Sequence, residues 1–216
     1  MHRRFRFPPF STQQEILPTL DDQRRFGGAF VASFYGPDWA TESRTPAEVA
    51  ADQALLQRLC DGQATAWRQL LELWSPRLYS YVFYNTHSDA DAQVLLQKAF
   101  ALVVQRVMHG TQRPQSSSAL SVLLVATVYR SIMQYQQQMG VPALDAARYL
   151  QAFDRTHQHF IAALRELAPI VQQLLLLRYL VSLSINELAL VTGYSASAVA
   201  VIVRAATQHF PPTTLR

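Results

Sequence analysis

From Thr45 to Phe210 the apolar residues recur at intervals of three and four, and no stretch alternates at two. That period lines one side of successive helices, whereas a half-buried strand needs alternation. The sequence therefore predicts an all-α fold. Its helix boundaries are written in local chemistry. Thr45-Pro46-Ala47-Glu48 places a capping threonine three residues before a glutamate, with proline at the first helical position. The helix that follows is expected to stop near Cys60, at Asp61-Gly62. A second helix over 64–74 carries Trp67, Leu70, Leu71 and Trp74 on one stripe, and Ser75-Pro76 is expected to restart it as far as Tyr84. Asn85-Thr86-His87 interrupts, Ser88-Asp89 opens a long helix through Val107, and Gly110 closes it. After a polar loop at 111–118, another apolar helix is expected over 119–138.

Toward the C-terminus, Pro169 opens a helix that leads into two shorter ones. Ser184 caps the first of these with Glu187 completing a capping box, Gly193 ends it, and Ser195 caps the next. The last helix carries Val199, Val203, Ala206 and Phe210 on one face. Two short helices joined by a tight glycine turn form a helix-turn-helix. In DNA-binding examples the second helix presents Arg, Lys, Asn or Gln to base edges. Here the other face offers Ser197, Ala198, Ala200, Val201, Arg204 and Gln208. One cation is too few for the phosphate contacts on which non-specific affinity rests.

Composition sharpens this conflict. Half of the 216 residues are hydrophobic and 16% are charged, against about a quarter in an ordinary domain. Such a chain has a substantial core and apolar surface to spare for a partner. The net charge of +4 draws heavily on Arg3, Arg4, Arg6, Arg24 and Arg25, and Lys98 is the only lysine. The positive charge is thus not concentrated on a reading element. Cys60 is alone, which leaves no intrachain disulfide and suits a reducing compartment. No apolar secretory core follows MHRRFRF, and the apolar stretches near 119–129 and 174–177 are too short or interrupted to span a bilayer. The expectation is a soluble cytoplasmic protein without membrane contact.

Two blocks resemble the extracytoplasmic-function sigma factors of bacterial RNA polymerase. The first spans about 52–138. It includes Ala54-Leu55-Leu56, Asp61-Gly62, Ala66-Trp67, Leu70 and Pro76-Arg77-Leu78-Tyr79-Ser80-Tyr81, then the run Asp91-Ala92-Gln93-Val94-Leu95-Leu96-Gln97-Lys98-Ala99-Phe100. The second spans 164–210 through Leu176-Leu177-Arg178-Tyr179, Leu183-Ser184, Glu187-Leu188-Ala189 and Gly193. The resemblance implies a promoter-melting domain over 45–138 and a helix-turn-helix domain over 157–212. A linker over 139–156 joins them, and a loosely ordered extension occupies 1–44. It implies polymerase contacts through Asp91, Gln97 and Phe100, and residual DNA contacts through Arg130, Arg178, Ser197, Arg204 and Gln208.

The departures are systematic. Gln93, Val94 and Lys98 stand where the family has the acidic residues that grip the polymerase, and only Asp91 and Gln97 are kept. In the promoter-reading helix the matching positions are Val122, Leu123, Ala126, Thr127, Tyr129, Met133 and Gln136. In the last helix Ala198 to Thr207 keep the buried apolar positions and lose most outward charge. Exposed apolar residues usually pack on something, so Ala198, Val201, Ile202 and Ala205 are candidates for a partner or domain interface. The functional expectation is a sigma-like transcription-control protein acting mainly through protein contacts with RNA polymerase core, an anti-sigma factor or a second copy. DNA binding is expected to be weak. The alternative is a working, divergent sigma factor.

Other constellations carry less. His157 and His159, two residues apart, do not share a helix face, and no Cys or carboxylate cluster supports them with His209, so no metal is expected. Tyr79, Tyr81, Phe83 and Tyr84 read as core rather than base-stacking residues. Asp89 favours a helix N-terminus, not acid catalysis. No nucleophile with a base and an orienting partner appears, and neither an enzyme nor a cofactor is expected.

Overall fold

The computed structural model describes residues 46–108, 114, 117–139, 164 and 166–208. Among them every regular element is a helix. In order these are α1 (Pro46–Cys60), α2 (Ala64–Thr86), α3 (Asp89–Met108), α4 (Ser117–Met139), α5 (Pro169–Tyr179), α6 (Ile185–Thr192) and α7 (Ala196–Gln208). The 1–44 extension, the 145–155 stretch of the linker, His157, His159, His209 and Phe210 lie outside the described residues, as do the side chains of Thr45 and Glu48.

The breaks fall where local chemistry demands them. Gly62 adopts a φ of 73° and closes the turn after α1, a conformation that costs a residue with a Cβ about 1–2 kcal/mol. Ser88 Oγ accepts from the Asp91 amide at the start of α3. Both halves of the α6 capping box form: the Glu187 amide donates to Ser184 Oγ, and the Ser184 amide donates to the Glu187 carboxylate at 2.9 Å. Gly193 ends α6 at a φ of 81°, and Ser195 Oγ accepts from the Ala198 amide to start α7.

One expected break is absent. Ser75-Pro76 does not restart a helix, because α2 runs unbroken from Ala64 to Thr86 with Pro76 inside it. Proline removes the bond that its own N–H would make to the carbonyl four residues earlier, and its ring crowds that carbonyl. That residue, Glu72, is exposed, as is Leu73. On such a solvent-facing turn water can replace the lost partner, while Trp74, Leu78 and Tyr81 bury the opposite side.

The first four helices pack together, α2, α3 and α4 each against the other two and α1 against all three. Their contact stripes are α2 Leu70, Trp74 and Leu78, α3 Leu96, Ala99 and Val103, and α4 Leu124, Val128 and Ile132, all buried. Helix α5 is different in kind. Leu174, Leu175, Leu176 and Leu177 are consecutive and all buried, so the middle of this helix is covered well beyond a single stripe. Helices α6 and α7 pack on α5 and on each other, and α6 also packs against α4. One continuous buried cluster therefore runs through both blocks on either side of residues 140–163.

Candidate interaction surfaces

Helix α7 separates its two faces cleanly. Val199, Val203 and Ala206 are buried against the rest of the helix-turn-helix. Ser197, Val201, Arg204 and Ala205 are exposed, at spacings of four, three and one. They form one outward stripe, and Val201 is 68% exposed at its centre. Of the four expected interface residues, Val201 and Ala205 face solvent, Ala198 is half-buried, and Ile202 packs partly against the core. Gln208 belongs to α7 by position. Leu190 on α6 and Tyr194 in the connecting turn are also exposed, Leu190 by 69%.

Arginine is scarcer on this surface than the sequence alone suggests. Arg178 turns back on its own fold, donating from Nη1 to the Leu183 carbonyl at 2.5 Å. This bond steadies the turn between α5 and α6, in which Ser182 has a φ of 62°. Glu187 is committed to its cap. Between Leu167 and Gln208 the charged residues are Arg178, Glu187 and Arg204, so Arg204 is the one cation on the outward stripe of α7.

In α4, none of the seven positions matched to the promoter-reading helix is exposed. Ala126 and Thr127 are buried, and Thr127 bonds back to the Leu123 carbonyl at 2.7 Å. Tyr129 is half-buried close to Tyr194 of the helix-turn-helix. Burial, and then that neighbouring phenol, push its pKa up. The exposed stripe of α4 is instead Arg130, Gln134, Gln137 and Gln138. Gln134 did not stand out in sequence reading, although its i, i+4 relation to Arg130 was available as a signal.

The three residues expected to touch polymerase fare differently. Phe100 is buried in the first block. Asp91 is half-buried and accepts from Tyr135 Oη of α4 at 2.9 Å, which ties α3 to α4. The Tyr135 hydroxyl is held above its ordinary pKa by burial and by this carboxylate. Gln97 is half-buried. Asp89, expected to favour a helix terminus, sits in the first turn of α3 and accepts from Tyr79 Oη and from Gln93 Nε2. Tyr79, Tyr81 and Tyr84 are all buried, and the rings of Tyr79 and Phe83 stack with centroids 6.1 Å apart.

A polar cluster that the sequence did not announce joins the two blocks. Tyr81 Oη donates to Gln173 Oε1 at 2.6 Å. Gln173 Nε2 donates to Asn85 Oδ1 at 2.5 Å, and Gln136 Nε2 donates to the same oxygen at 3.2 Å. Asn85 Nδ2 completes the set by donating to the Tyr81 carbonyl at 2.8 Å. Tyr81 and Asn85 belong to α2, Gln136 to α4 and Gln173 to α5. Burial, followed by the nearby Tyr129, holds the Tyr81 phenol well above its usual pKa, so it remains a donor.

Among the described residues no group of three or more His, Cys, Asp or Glu side chains is placed to hold a metal ion. No single described helix is long and apolar enough to cross a membrane. No family model and no curated protein matches this chain.

Proposed function

We propose that this chain is a sigma-factor-like transcription-control protein, built as two helical lobes whose nucleic-acid-facing surfaces have become neutral. It acts mainly through protein contacts with RNA polymerase core, with an anti-sigma factor or with a second copy of itself, and such a role belongs in the cytoplasm. The observation that carries this reading is the outward stripe of α7, where Ser197, Val201 and Ala205 accompany Arg204 alone. Sequence-selective readout needs polar side chains at the groove edge and several cations along the phosphates. This stripe offers neither in number, whereas a nearly uncharged surface centred on an exposed valine suits a protein contact, whose core is depleted of charge.

The test pairs duplex-DNA anisotropy with capture of RNA polymerase core by the full chain. The expected results are little DNA binding with a shallow salt slope, and retention of core enzyme that Val201→Glu weakens without changing the melting temperature. Tight, sequence-selective DNA binding reverses the reading. A working promoter-directing factor is the second reading, and the α4 stripe favours it. Arg130, Gln134, Gln137 and Gln138 are exposed together, and glutamine and arginine are the residues that bond adenine and guanine edges.

A further inference from the structure

Helix α5 carries its core residues as one run, Leu174-Leu175-Leu176-Leu177, all buried. Such a run ensures that the helix is covered but says little about which leucine goes where. A shift of one residue moves a helix about 1.5 Å along its axis and turns it by about 100°. Here a shift in either direction exchanges leucine for leucine at three of the four places. Cores of interchangeable leucines lose a unique arrangement before they lose stability. Helices α6 and α7 pack on α5, so its docking also decides where the outward stripe of α7 stands relative to that of α4.

Gln173 breaks this degeneracy. It adjoins the run and is itself buried, and α2 binds both ends of its amide. Its Oε1 accepts from Tyr81 Oη at 2.6 Å, and its Nε2 donates to Asn85 Oδ1 at 2.5 Å. Asn85 is held in turn, its Nδ2 donating to the Tyr81 carbonyl and its Oδ1 accepting from Gln136 of α4. A shift that brings Leu174 to this site leaves the fully buried Tyr81 hydroxyl without its acceptor and drives Arg178 into the place of Leu177. The opposite shift brings Gln172 to the site but pushes Gln173 into the place of Leu174. Burying an amide, a hydroxyl or a guanidinium without partners is costly, although the bonds themselves add little net stability. In coiled coils one polar residue in a buried seam fixes register by this asymmetry.

We propose that Gln173 is the register key of α5. Its amide, held by Tyr81 and Asn85, selects one docking of the helix-turn-helix on the first block, while the leucines supply the stability. The key acts within the chain, whatever partner α7 meets.

The full chain carrying both Tyr81→Phe and Gln173→Leu tests it. Both partners of one bond are removed together, and Asn85 keeps Gln136 and the carbonyl of residue 81, so no polar atom of the cluster is stranded. Exchanging both partners for apolar groups of similar shape is close to neutral, and the melting temperature stays within about 4 °C of the wild type. The leucine run is now longer by one, which opens a shift that exchanges leucine for leucine at all four original places. Amide NMR spectra of the double variant therefore show doubled or broadened peaks across α5, α6 and α7. Helix α1, packed on α2, α3 and α4, keeps single peaks. Tyr81→Phe alone retains the bond from Gln173 to Asn85 and gives single peaks throughout. One sharp set of peaks from the double variant overturns the key, whatever its melting temperature, because packing alone then fixes the docking. Loss of helix content in the double variant while Tyr81→Phe stays folded also overturns it, because the bonds then supply stability rather than selection.

Discussion

Restoring charge to the outward stripe of α7 is the most direct test of why this surface is neutral. Ser197, Val201 and Ala205 are exposed and share a face with Arg204, so Ser197→Lys, Val201→Lys and Ala205→Arg together would display four cations. None of the three touches the buried side formed by Val199, Val203 and Ala206. Exposed substitutions of this kind change stability by about 0.5 kcal/mol or less. Position 197 adds a similar penalty of about 0.5 kcal/mol, because a cation in the first turn opposes the helix dipole.

The effect on DNA is larger. With Arg204 alone the stripe neutralises one phosphate, for a slope of log K against log salt of about −0.9, and four cations give about −3.6. Raising salt fourfold, from about 50 to about 200 mM, then weakens the wild type about 3.5-fold and the triple variant about 150-fold. Fluorescence anisotropy with a labelled duplex at three salt concentrations measures both slopes. A wild-type slope already steeper than about −3 refutes the neutral-surface reasoning, because phosphate contacts would then exist elsewhere. A triple variant that folds normally yet gains no affinity refutes the placement of this stripe as the face offered to DNA.

The remaining predictions concern stability and are read by thermal or chemical unfolding. Leu188→Ala, at a fully buried site, costs about 3 kcal/mol. Leu190→Ala, two residues away and 69% exposed, costs less than about 0.5 kcal/mol. Phe100→Ala destabilises the whole chain by about 3–5 kcal/mol, so any loss of polymerase capture in that variant follows unfolding rather than a missing contact. Gly193→Ala costs about 1–2 kcal/mol through its φ of 81°, although the added Cβ meets nothing within 4 Å. An unchanged melting temperature there contradicts the left-handed cap.

Helix ends were legible in the sequence because their causes are local. Ser184, Glu187, Gly193 and Ser195 each act on backbone groups within a few residues, and each does in the structure what its side chain suggests. The face assignments of Val199, Val203 and Ala206 followed from helical period for the same reason. Pro76 was misread because its effect depends on which side of α2 faces solvent, a tertiary fact. Asn85 carried a local signal and looked like a helix breaker. Its side chain instead holds Gln136, 51 residues on, and Gln173, 88 residues on. No window on a single chain reports pairings at that distance. Arg178 likewise read as a free cation until the turn at Leu183 supplied an acceptor.

Because α6, which follows residues 140–163 in the chain, packs against α4, which precedes them, the chain is a natural candidate for splitting. Two polypeptides, one ending after Met139 and the other beginning before Leu164, would each keep an unmatched wet-and-greasy seam. Coexpressed, they should find each other and rebuild a soluble heterodimer, and expressed singly each should be recovered mainly in the pellet.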